Sequence, residues 1–348
     1  MFSSSFVRSV VIALASCAAL SSPAIASVRG GVATPLTLIN GWQNGAAGAA
    51  NASVLELNGI VHFKGAISQT GSSPLPFVLP AQFRPSAHVY IPITACKTMN
   101  ARLDILPDGT TAVETEGDFD KGKCFVSLDG ATFALSSDGA RNLKLRHRWT
   151  NYSFGAATVA LQSIDSMVHF QGAMHTGGKN PFPFILPVAY RPPGDVYVKA
   201  DLCNATNGRL LIEPDGTVTV ESQKQWKNAK CFTSLDGISY APQLAGATEL
   251  TLINGWANYF SAKPAAIKLV NGVVQFQGAL FTSGPNPTPF MLPPGFRPSK
   301  KVYVPVDMCG SANGRIEFDP DGTTIVHAEK IFGDAQCFTS LEGVTFLE

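Results

Sequence analysis

The seven residues Leu36-Thr-Leu-Ile-Asn-Gly-Trp42 (LTLINGW) return unchanged at 250 to 256, and LKLRHRW at 143 to 149 keeps the first, third and last letters while replacing the other four. Alternate positions held while their neighbours drift is the signature of an extended segment with one packed face. Working outward, Trp42, Trp149 and Trp256 are 107 residues apart, and Arg84-Pro85, Arg191-Pro192 and Arg297-Pro298 recur at 107 and 106. The chain therefore writes one module three times, over 36–135, 143–241 and 250–348. A period of this length is that of a whole small domain and exceeds a solenoid repeat or propeller blade.

Within the first module, strands are expected at 36–42, 53–57, 60–67, 77–79, 88–95, 101–106, 110–114 and 124–128. Asn58-Gly59 and Asn271-Gly272 mark hairpins, and Pro107-Asp108-Gly109, Pro214-Asp215-Gly216 and Pro320-Asp321-Gly322 mark tight turns. Short strands with a turn about every ten residues predict an all-β fold of three tandem antiparallel sandwich, or jelly-roll-like, modules.

Outside Cys17, the cysteines fall as Cys96/Cys124, Cys203/Cys231 and Cys309/Cys337, each pair 28 positions apart inside one module. An even number at fixed spacing, following an export signal, predicts one disulfide per module. A zinc site would need closely grouped ligands, and no histidine keeps step with the cysteines in all three repeats, so no metal and no cofactor is expected. The export signal is Arg8, the apolar run from Val10 to Leu20, and Ala24-Ile25-Ala26, which predict a signal peptide over 1–26 and a secreted protein without a membrane span. The alternative is a lipobox at Leu14 to Cys17, with the protein tethered through Cys17. A charged fraction of 15% and a net charge of +1, without a basic stripe, leave nucleic acid out. Asn51, Asn151 and Asn204 open N-x-S/T sequons, which matter in a host that glycosylates.

The series LxLxNGWxNY, NGVVxFxGA, LPxGFRPS, GRxxxxPDGT and SLDGxxF resembles the β-sandwich modules at the tips of bacteriophage tail fibres and related receptor-binding appendages, over nearly all of the mature chain. That resemblance implies a trimeric, non-catalytic head or spacer that contacts cell-surface glycans; the disulfide pairs and the export signal are additions to the pattern.

Candidate chemistry is sparse. Asp108, Asp215, Asp321, Asp129, Asp236 and Glu342 all precede glycine, where a carboxylate caps a turn, and no second recurring pair offers glycosidase geometry. His62 and His169 match, but Gln275 replaces them in the third module, and no Ser-His-Asp or Cys-His set recurs; catalytic residues are not expected. Aromatic residues beside amides are the better signal: Trp42 with Asn44, Trp149 with Asn151 and Tyr152, and Trp256 with Asn258 and Tyr259. Such pairs bind sugars by stacking and hydrogen bonding, and the competing reading is that each Trp closes a core. Phe119, Trp226 and Phe332, each five residues before the second cysteine, are either core lids or contacts. Arg84, Arg191, Arg297, Arg102, Arg209 and Arg315 read as loop-fixing residues. The sequence thus predicts a secreted binder of a glycan or cell-surface receptor, or alternatively a fibre-like adhesive component with protein partners. Linkers Leu135 to Asn142 and Ala241 to Glu249 reach about 26 to 30 Å at roughly 3.3 Å per residue. They permit a monomer whose modules cluster with pseudo-threefold symmetry, and also a string of beads.

Overall fold

A computed structural model describes Met1 and residues 31–348; the expected signal peptide and the Cys17 alternative lie outside the described residues. The described chain is all-β, built from three similar modules. In module 1 the strands are β1 (Thr34–Pro35), β2 (Trp42–Asn44), β3 (Ser53–Leu57), β4 (Ile60–Lys64), β5 (Ala66–Gln69), β6 (Val89–Ala95), β7 (Asn100–Ile105), β8 (Thr111–Thr115), β9 (Val126–Ser127) and β10 (Thr132–Ala134). They pair as a four-stranded sheet, β1-β3-β4-β10, facing a curled six-stranded sheet, β2-β5-β9-β6-β7-β8, and both orders repeat in modules 2 and 3. Between the two sheets lies one apolar core per module.

The opening motif is not the strand expected at 36–42. Leu36 and Trp42 are buried at its two ends and Leu38 packs against the same core, so the one-sided alternation is real. Its backbone crosses from one sheet to the other, and Asn40-Gly41 turns it with positive φ of 55° and 83°. The strand expected at 60–67 is likewise divided at Gly65 (φ 97°), where a Cβ would stand 2.5 Å from the carbonyl oxygens of Ala50 and Asn51. Only glycine fits this switch between sheets. Residues 77–79 make an isolated bridge between Val78 and Thr110, and 124–128 shrinks to β9. Asn58-Gly59 and Asn271-Gly272 turn with both φ positive, as a two-residue hairpin of type I′ requires.

Each module carries its expected disulfide: Cys96–Cys124, Cys203–Cys231 and Cys309–Cys337. A short helical segment that the sequence presents as a polar loop leads to the second cysteine: a 3-10 turn over Phe119–Gly122 before Cys124, and α1 (Trp226–Cys231) and α2 (Phe332–Cys337), which end on it.

The modules close into a ring. Strand β6 and its counterparts Val196–Leu202 and Val302–Met308 face one another at the centre. Parallel bridges join His88 to Ala156, Asp195 to Ala262 and Lys301 to Ala49, so module 1 meets 2, module 2 meets 3, and module 3 returns to 1.

Candidate binding surface at the module seams

Each seam uses the same residues. The tyrosine of the VYIP-like strand lays its ring edge-on against the phenylalanine after the second cysteine of the next module: Tyr90 on Phe232 at 4.9 Å, Tyr197 on Phe338 at 4.8 Å, and Tyr303 on Phe125 at 5.0 Å between centroids. An arginine covers each pair: Arg102, Arg209 and Arg315 lie 4.9 to 5.9 Å from the ring centroids. These residues were expected to fix loops through carbonyls or carboxylates; Arg102 and Arg209 pair with carboxylates of the following module, Asp201 at 3.3 Å and Asp307 at 3.0 Å. Burial pushes both carboxyls up to about 7, against the pull of those guanidinium groups. By contrast Arg84, Arg191 and Arg297 do fix their own loops, each donating from Nε to the carbonyl of Leu79, Leu186 or Leu292.

The SLDG turn is the second part of the seam. Ser127, Ser234 and Ser340 donate from Oγ to the carbonyl oxygens of Tyr303, Tyr90 and Tyr197 at 2.7, 2.7 and 2.5 Å. Asp129 accepts from the amides of Gly65 and Tyr303, and Asp236 from those of Gly172 and Tyr90. Glu342 departs from this pattern, accepting from Gly278 and pairing with the buried Lys263 at 2.9 Å. Asp108, Asp215 and Asp321 cap their own turns through the amides of Thr110, Thr217 and Thr323, which holds these carboxyls below the usual carboxylate range.

At the ring centre the repeats share one bond and differ at one position. The side-chain amides of Asn100, Asn207 and Asn313 donate to the carbonyls of Ala205, Ser311 and Thr98 of the following module. Lys199, standing where the other modules have Pro92 and Pro305, donates to the Asn207 and Asn313 side-chain carbonyls, and its burial brings its ammonium down to about 8. Three identical chains would place three lysines there; one chain places one. His62, His169 and Gln275 line a narrow cleft where the three modules meet. Burial lowers His62 to about 3 and His169 to about 4, so both are neutral at pH 7.

The aromatic residues singled out in the sequence divide into two groups. Trp42, Trp149 and Trp256 are buried core residues whose indole N–H donates to the carbonyls of Ser73, Asn180 and Asn286, leaving no open ring face. Asn44, Asn151 and Asn258 spend their side-chain carbonyls on the amides of Ala52, Val159 and Ala265, which closes the following loop. Phe119, Trp226 and Phe332 are half-buried and pack edge-on against the three core indoles at 6.3, 6.0 and 6.4 Å. Beside Phe119, a groove runs along Pro74, Glu114 and Gly117 to Asn204 of module 2.

Tyr152 and Tyr259 behave differently. Each leans on the seam phenylalanine, Phe232 or Phe338, and carries a second aromatic outward: Phe154 at 5.0 Å and Phe260 at 4.4 Å. Phe154 is 70% exposed and Phe260 85% exposed. His175 stands edge-on to Tyr152, and Phe281 to Tyr259. Sequence reasoning passed over Phe154 and Phe260 because module 1 has no equivalent: its loop is Ala46-Ala47-Gly48, held by Tyr303 Oη donating to the Ala47 carbonyl. Among the described residues there is no cluster of three or more His, Cys, Asp or Glu suited to a metal, and no helix long and apolar enough to cross a membrane. No protein-family model, curated protein or solved structure matches the chain.

Proposed function

We propose that the protein is a secreted, non-catalytic binder of cell-surface or extracellular carbohydrate, and that its contact residues are the exposed aromatic pairs at the seams. The carrying observation is the Tyr259–Phe260 stack, with rings inclined by 30° and Phe260 85% exposed on a loop whose backbone Asn258 fixes. An exposed, oriented aromatic plate covers the C–H face of a pyranose, and large exposed aromatics are otherwise unfavourable on a soluble surface. Tyr152 and Phe154, their rings inclined by 50°, set a second exposed aromatic one seam away, which would let one chain engage two sugars of the same surface. The resemblance to tail-fibre tip modules supports the same reading, since such heads present three modules around one axis. Three disulfides suit an oxidising extracellular compartment.

A glycan array with the purified mature protein tests the reading. Selective binding that falls at least tenfold in the double variant Phe154→Ala, Phe260→Ala supports it. Absence of any sugar preference, with retained adhesion to a protein-coated surface, would point instead to a fibre-like component with protein partners.

A further inference from the structure

The three seams share one frame, so two of them report what the third accommodates. At the first seam Arg102 stands between two carboxylates, Asp201 across the interface at 3.3 Å and Glu114 on the neighbouring strand at 2.5 Å. At the second, Arg209 stands between Asp307 at 3.0 Å and Glu221 at 2.6 Å. The third seam keeps the arginine and loses both acids. Thr94 occupies the position of Asp201 and Asp307, and His327, paired across the strands with Arg315, occupies that of Glu114 and Glu221.

No internal group takes their place. Glu317, the carboxylate on the same strand two residues on, is engaged by Lys301 at 2.6 Å and by His327 at 2.8 Å. Thr94 Oγ1 is buried without a partner, and so is Arg315 Nε. Among the described residues no hydrogen bond or ion pair reaches the Arg315 guanidinium. The rings of Phe125 and Tyr303, each 5.2 Å away, still hold its position. The outer acids of the two sister seams are 43% and 34% exposed, so this side of the frame opens to solvent.

We propose that Arg315 is the receptor for the carboxylate of an acidic sugar, which fills at the third seam the place that chain carboxylates fill at the other two. A half-buried guanidinium pairs strongly with an oxyanion, because its planar fork matches two oxygens and its desolvation is otherwise uncompensated, and the sister arginines show that this frame seats carboxylates. The seam without exposed aromatics thereby carries the charged contact, and the seams with aromatics carry the stacking ones. The saccharide half of this assignment rests on the function proposed above; the carboxylate half stands on Arg315 alone.

The test is an NMR titration of the arginine side-chain Nε–Hε signals of the whole mature protein with sodium glucuronate, sodium acetate and glucose, with Arg315→Lys identifying the resonance. The Arg315 signal should move saturably with glucuronate and acetate and stay still with glucose. Thr94→Asp supplies the missing acid from within and should weaken glucuronate binding at least tenfold; His327→Glu, at a partly exposed site, should do the same should Thr94→Asp fail to fold. An unresponsive Arg315 signal, or unchanged glucuronate binding in both variants, would overturn the site. A response to acetate without one to glucuronate would overturn the sugar. Loss of neutral-glycan binding in Phe154→Ala, Phe260→Ala with the Arg315 response intact separates this site from the aromatic one.

Discussion

Ser234 donates its hydroxyl to the carbonyl of Tyr90, 2.7 Å away and 144 residues earlier in the chain. The same bond recurs from Ser127 to Tyr303 and from Ser340 to Tyr197, so a short turn motif repeated along the chain becomes the clasp of a closed ring. Removing the Ser234 hydroxyl leaves a buried carbonyl without its partner, which costs about 1–3 kcal/mol. Ser234→Ala should therefore lower the urea midpoint measurably while leaving the module 2 core intact, and a midpoint equal to that of the wild type would assign the bond no role in holding the ring.

Trp226 tests the division between core and contact. The sequence leaves Trp226 as either a core lid or a contact, and as a contact its replacement by alanine would weaken glycan binding at nearly constant thermal midpoint. Its edge-on packing against Trp149 at 6.0 Å now predicts a stability loss of about 1–3 kcal/mol, with binding per folded molecule little changed. Calorimetry on the variant, with a glycan titration of the folded fraction, distinguishes the two; an unchanged melt with lost binding would return Trp226 to the contact surface.

His62 and His169 make the ring centre sensitive to acid. Their folded pKa values, about 3 and about 4, lie below the unfolded value near 6.5, so the unfolded chain takes up protons first as the pH falls. The stability they allow is fully present above about pH 6.5 and is lost progressively toward about pH 4 for His169 and about pH 3 for His62. Gln275 shows that a neutral amide fits the same place. His62→Gln should thus gain on the wild type by about 1–3 kcal/mol between pH 7.5 and pH 5, read from paired urea titrations. A difference that does not change with pH would contradict a buried neutral His62.

The disulfides close loops of 28 residues within single modules. In the chain-entropy treatment each contributes about 3–4 kcal/mol. Replacing Cys203 and Cys231 together by serine should cost roughly that amount. Non-reducing peptide maps of the wild type should show the three intramodular pairs, and a bridge between modules would be incompatible with the fold.

The sequence revealed most readily what repeats strictly. Cysteine spacing, Asn-Gly and Pro-Asp-Gly turns, and alternating strands such as Thr111–Thr115 are local signals, and the folded chain keeps them. LTLINGW was legible as a one-sided segment but not as a crossover, because burial of alternate residues does not reveal whether the backbone has a ladder partner. The seams were harder to read. Ser234, Asp236 and Phe232 look like parts of a turn and a strand end until Tyr90 of another module meets them, and nothing local marks a bond across 144 residues. Phe154, Phe260, Lys199 and Thr94 were missed for the opposite reason: each breaks the repeat, and a search for what recurs passes over what differs.

Closure of the three modules into one ring is the claim on which the seams, the axial Lys199 and the Arg315 site all depend. Small-angle X-ray scattering from the monomeric protein tests it most directly. A closed ring of about 320 ordered residues should have a radius of gyration near 20 Å and a compact, three-lobed distance distribution. A radius on the order of 28 Å, with a resolved spacing between successive modules, would describe a string of beads and contradict the account.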